Sequence, residues 1–199
     1  MPAFGREFFA ITGRKVCILN VAWGGSYVTN YGGENTWYGD DSIRRQSAST
    51  QFQALTAELG TKGTDWVLGG LLWIQGEAEA SGIAKGMAGI SVATYISGTQ
   101  DVFAFFRKLA GDSNLPIYIS QIGGYKYELT SPGLHAAYES IRQAQKTLIN
   151  ESKKVFMAFD GAESFLRAGY MNDNIHYDQK GYNIVGKAFA RFISNHQTF

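Results

Sequence analysis

Asp173-Asn174-Ile175-His176 places a carboxylate three residues before a histidine, on a loop ahead of an apolar helical run. At that spacing the carboxylate can bond one ring nitrogen and fix the tautomer, which leaves the other nitrogen as a general base. Leu72-Trp73-Ile74-Gln75-Gly76-Glu77 reads as a buried strand that ends in an amide, a glycine and a carboxylate. A strand tip holds side chains rigidly, so Gln75 can aim an amide N–H at a developing oxyanion, Gly76 permits close substrate approach, and Glu77 can orient neighbours or bind a hydroxyl. Trp23-Gly24-Gly25-Ser26 closes another apolar run, and its backbone N–H groups offer a second oxyanion donor. Each feature also has a plainer reading, as a satisfied turn or a structural histidine. His135, at a helix start, and His196, near a fraying end, take that plainer reading.

Four short apolar runs are expected to be the strands that position these residues: Lys15 to Trp23, Trp66 to Ile74, Pro116 to Ile122 and Lys154 to Phe159. They lack polar alternation, as parallel strands covered on both faces do. Helical patterns separate them at Ser47 to Leu59, Ala93 to Leu109, Pro132 (capped by Ser131) to about Asn150, and Gln179 to Asn195. Alternating strands and helices suit right-handed crossovers, so the fold class is α/β with a mostly parallel sheet in one domain spanning 1–199. Gly24-Gly25, Gly76 and Gly123-Gly124 each follow a strand, where open parallel sheets bind ligands.

The 199 residues are 45% hydrophobic and 18% charged, enough for one sizeable core. Lys plus Arg number 18 against 17 Asp plus Glu, so no strong field gathers nucleic acid or an anionic membrane. A neutral partner fits better, and aromatics at 14% suit sugar-facing surfaces as well as a core. Cys17 is expected as a buried lone thiol. Phe8-Phe9-Ala10-Ile11 is too short for a signal core, and no run approaches a membrane span, so compartment is left open.

In this order, Gly-Gly-Ser, Trp-x-Gln-Gly-Glu and Asp-x-x-His before a C-terminal helix, the chain resembles the SGNH hydrolases, in their sialate O-acetylesterase and plant-type acetylxylan esterase branch. Ile141-Arg142-Gln143-Ala144-Gln145, Leu115-Pro116-Ile117 and Asp160 after the last strand extend the likeness over nearly the whole chain. The resemblance implies a flavodoxin-like three-layer α/β/α fold and a serine esterase that removes acetyl groups from sugars such as sialic acid or xylan. It implies His176 as general base, Asp173 as its orienting carboxylate, and Gly25 and Gln75 as oxyanion donors. Gly24, Ser26 and Glu77 would lie against the acetylated carbohydrate, and no metal or organic cofactor is implied.

The pattern departs from the family in one respect. The family's serine stands in a Gly-x-Ser-Asn block after a first strand, well before the Gly-Gly block, and only 23 residues precede Gly24. Met1 to Gly13 resembles the helix that leads into the family's second strand, so the domain is expected to lack its first strand and nucleophile. An upstream segment of the same protein or another chain would then complete the sheet. In strand order 2-1-3-4-5 the missing strand is central: either Lys15 to Trp23 pairs directly with Trp66 to Ile74, or another segment or chain fills the slot, or the polypeptide is stable only beside its missing portion, a filled slot being the outcome expected of a chain that folds alone. Gly111-Asp112-Ser113-Asn114 spells a similar block but sits between a helix and a strand, at the sheet's amino end. A catalytically inactive glycan-binding or structural domain of the same fold is the alternative function.

Overall fold

The computed structural model describes residues 2–31 and 33–196. Three strands, β1 (Leu71–Trp73), β2 (Ile117–Ser120) and β3 (Val155–Phe159), form a parallel sheet in the order β1-β2-β3. Leu71 lies beside Ile117, and Ile117 beside Val155; a register irregularity between Ile119 and Ser120 brings Ser120 opposite Phe159. The helices are α1 (Pro2–Thr12), α2 (Ile43–Thr61), α3 (Glu77–Ala84), α4 (Val92–Ala110), α5 (Pro132–Glu151), α6 (Phe165–Ala168) and α7 (Gln179–His196). Local chemistry sets their ends. Ser42 accepts from the N–H groups of Arg44 and Arg45 at the start of α2, a Ser91–Thr94 capping box opens α4, and left-handed Gly111 closes it.

Side-chain alternation along the strands separates two cores, giving three layers. Trp73, Ile117, Ile119 and Val155 pack with Tyr95, Phe103, Tyr138 and Ile141 of α4 and α5. Tyr118 and Ala158 point the other way, onto Phe4 and Phe8 of α1 and Val185, Phe189 and Ile193 of α7. This is the α/β/α class expected from the sequence.

The first strand expectation is corrected. Lys15 to Trp23 forms no strand: it runs without a main-chain hydrogen bond to β1, and no other described segment pairs with that edge. Direct pairing of the first two runs does not occur, and no described segment of this chain fills the slot beside β1. Val16 nevertheless leans on the α1/α7 core and Val21 on the α4/α5 core, so the segment straddles the sheet plane as an edge strand would. With one edge unpaired, the second strand contracts to Leu71–Trp73, and Trp66, Val67 and Leu68 are 41%, 66% and 41% exposed. Cys17 lies in this unpaired run and is exposed rather than buried. Helix α3 was not expected from the sequence; it is short, and its first turn is acidic.

Candidate active site

Asp173 and His176 form a tight local unit on the loop before α7. Asp173 Oδ1 accepts from the backbone N–H of Ile175 (2.9 Å) and of His176 (2.8 Å), while Oδ2 lies 2.8 Å from His176 Nδ1. The N–H groups of His176 and Ile175, then the ring, hold the carboxyl down to about 2. The side chains are 64% and 47% exposed for His176 and Asp173, which leaves the second ring nitrogen open to a reactant.

The loop itself is anchored. Asn172 N–H donates to His176 O (2.8 Å), Lys126 N–H to Asn174 O (2.9 Å) and Asp178 N–H to Tyr170 O (2.9 Å). Tyr177, next in sequence to the histidine, is buried and meets Phe165 edge-on at 5.1 Å. Its hydroxyl lies 2.5 Å from where a Cβ on Gly123 would stand, so Gly123, just past β2, must lack a side chain. Packing therefore ties the dyad to the carboxyl end of the sheet.

The β1 end carries the second half. Gly76 adopts φ +144°, and a Cβ there would come within 2.8 Å of Ile141 and 3.2 Å of the Tyr95 hydroxyl. The glycine is thus required by backbone conformation and by packing. Glu77 follows; burial pushes its carboxyl up, against the N–H groups of Glu77 and Gly76 and the charge of His176. Its field also raises the Tyr177 and Tyr182 hydroxyls, each already raised by burial.

Gln75 is deeply buried and fully braced. Its Nε2 donates to Ser26 O (2.9 Å) and Glu79 Oε2 (2.5 Å), its backbone carbonyl accepts from the Tyr95 hydroxyl and Gln145 Nε2 (both 3.1 Å), and its Oε1 has no partner among the described residues. Both amide hydrogens are therefore engaged within the protein. Gly25 differs: it sits at φ +66°, exposed, and its N–H has no acceptor among the described residues. Ser26 Oγ donates to Trp23 O (2.9 Å) and accepts from Trp37 Nε1 (3.1 Å), a structural use of the hydroxyl.

Glu79, Arg142 and Gln145 are braces that chemical reading of the sequence did not assign. Arg142, 2% exposed, donates to Gly123 O (2.9 Å), to both oxygens of Glu128 (3.1 Å each) and to Glu139 (2.8 Å). The signal available was an arginine and a glutamine three apart on the inner face of α5. Ser113, by contrast, lies in the turn from α4 to β2 at the amino end of the sheet, beside a groove of about 630 Å³ shared with Arg107, Lys108 and Lys153. His135 lies 3.4 Å from Glu128 and His196 stacks on Phe192 at 4.0 Å, so neither joins the dyad.

Comparison with known families decides the affiliation: the family described as carbohydrate esterase, sialic acid-specific acetylesterase, matches residues 2–195. The chain belongs to this family. Among curated proteins, none matches. Family members are carbohydrate esterases, so acetylated carbohydrate is the substrate class, in agreement with the motif order Gly-Gly-Ser, Trp-x-Gln-Gly-Glu and Asp-x-x-His.

Proposed function

We propose that this chain supplies the base, orienting and oxyanion-binding parts of a serine carbohydrate O-acetylesterase whose nucleophile comes from a strand completing the sheet beside β1. The observation that carries the reading is the Asp173–His176 pair, tied through Tyr177 and Gly123 to the carboxyl end of the sheet in a carbohydrate esterase family. The incoming serine hydroxyl attacks the acetyl carbonyl while His176 Nε2 takes its proton, and Asp173 holds the tautomer through Nδ1. The tetrahedral oxyanion is met by the Gly25 N–H; Gln75 joins by exchanging one inward amide hydrogen bond for it. Collapse returns the proton to the departing sugar hydroxyl. Water, deprotonated by the same histidine, then releases acetate from the acetyl-serine. Gly24 and Glu77 border the sugar, and Ser26, buried, holds the turn through Trp23 and Trp37.

The test compares the 199-residue chain with the same chain joined to the polypeptide encoded immediately upstream. The chain alone is expected neither to hydrolyse acetylated sialic acid or xylan nor to react with a serine-directed fluorophosphonate. The joined protein is expected to do both, with hydrolysis lost in His176→Ala. Turnover by the chain alone that survives Ser26→Ala and Ser113→Ala would refute the reading. Glycan binding without turnover by the joined protein would favour a non-catalytic domain.

A further inference from the structure

Beside Gln75, α3 buries a carboxylate that the reaction above does not use. Glu79 is 0% exposed, and the described residues offer its carboxyl no cation. Its Oε1 accepts from Val28 N–H (2.6 Å), its Oε2 from the Gln75 amide (2.5 Å), and Thr29 N–H also points to it. Val28 and Thr29 lie just beyond the Gly24–Ser26 turn, and Ser26 O takes the second Gln75 hydrogen at 2.9 Å. One carboxylate thus joins the β1 tip to the turn that carries the Gly25 N–H.

The two acceptors also decide which way the Gln75 amide faces. Ser26 O can only accept, so the NH2 group must face it, and Oε1 is left buried without a partner among the described residues. We infer that Glu79 is the positioning residue of this crevice, fixing the Gln75 amide and the Gly24–Thr29 turn relative to each other and setting which acceptors the two amide hydrogens meet. The inference rests on the esterase reading only for the crevice's use; its geometry stands apart. A glutamine at 79 would oppose an NH2 to the Gln75 NH2 if its own carbonyl kept Val28, so the amide would have to turn. An aspartate is one methylene shorter and can keep one side of the bridge.

Burial pushes Glu79 up to about 6, against the bonds from Val28, Gln75 and Thr29. Tyr27 and Tyr95 are the titratable groups that feel its charge, and both are raised and neutral in this range. Side-chain amide NMR on the 199-residue chain reads the bridge without any turnover. The Gln75 NH2 pair and the Val28 N–H are expected to move downfield together as pH rises through about 6, because the carboxylate is the stronger acceptor. In Glu79→Gln the titration should vanish and Gln75 NH2 exchange should quicken at least about tenfold, while amides of β3 and α7 stay in place; Glu79→Asp should keep a partial titration. Gln75 and Val28 signals that stay flat from about pH 4.5 to 8 in the unaltered chain would overturn the inference even if Glu79→Gln failed to fold. Failure of the esterase reading would appear in hydrolysis alone and leave these signals unchanged.

Discussion

Protonating Asp173 must weaken three hydrogen bonds at once, two from backbone N–H groups and one from the His176 ring. Its carboxyl is held at about 2 in the folded loop, below the ordinary 3.8, so the sign is that of a depressed acid. The loop's ordering is fully present above the ordinary value and is lost as pH falls through about 2. Backbone amide shifts of Ile175 and His176 should titrate with a midpoint near 2; a midpoint near 4 would mean that these bonds do not form in solution. In the joined protein, Asp173→Asn should lower kcat by about 10³–10⁴ with little effect on folding, measured as initial rates of acetate release. This dyad was legible in the sequence because its partners stand three residues apart and the geometry is local. Glu79 was not, since its bond to Val28 spans 51 residues and the bond from Gln75 to Ser26 that completes the bridge spans 49.

The helices were legible for a similar reason. Capping and apolar periodicity are properties of neighbouring residues, and α2, α4, α5 and α7 begin and end within a few residues of the expected positions. A strand is made by its neighbour, which an apolar run cannot specify, so Lys15 to Trp23 was read as a strand that has no ladder. The loop after β2 depends on such distant support. Arg142 of α5 holds Gly123 O and Glu128 together in the interior, and truncating it leaves a buried carboxylate without its guanidinium partner and a carbonyl without its donor. Arg142→Ala should destabilise the chain by about 3–5 kcal/mol, read from the urea midpoint at constant slope. A loss below about 1 kcal/mol would show that the network is solvated. Gly123→Ala should cost about 1–3 kcal/mol, because the new methyl meets the Tyr177 ring; the amide shift of His176 should move with it, and an unmoved His176 would uncouple loop from dyad.

At the scale of the whole molecule, the sheet ends where its cores do not. Both layers extend past β1, one reaching Val21 and the other Val16, while the main chain between them is unpaired. The run leading into β1 and the unpaired segment expose apolar side chains: Val67 is 66% exposed, Trp66 and Leu68 41% each, and Ile18 40%. Proteins normally blunt such an edge with lysine, proline or a covering segment, since an open apolar edge pairs with any strand that reaches it. The chain by itself is therefore expected to associate with copies of itself, increasingly with concentration. Val67→Lys tests this at little risk to the fold, because a side chain already exposed changes stability by only about 0.5 kcal/mol or less. Sedimentation velocity should show the unaltered chain partly associated and Val67→Lys mainly monomeric, with unchanged thermal unfolding at low concentration. The proposed completing strand makes the opposite demand. Once it occupies the slot, the joined protein should be monomeric with Val67 unaltered, and the lysine should make no further difference to its sedimentation. If the joined protein associates as strongly as the chain alone, and Val67→Lys relieves both equally, the added segment does not cover the β1 edge and the proposed source of the nucleophile falls.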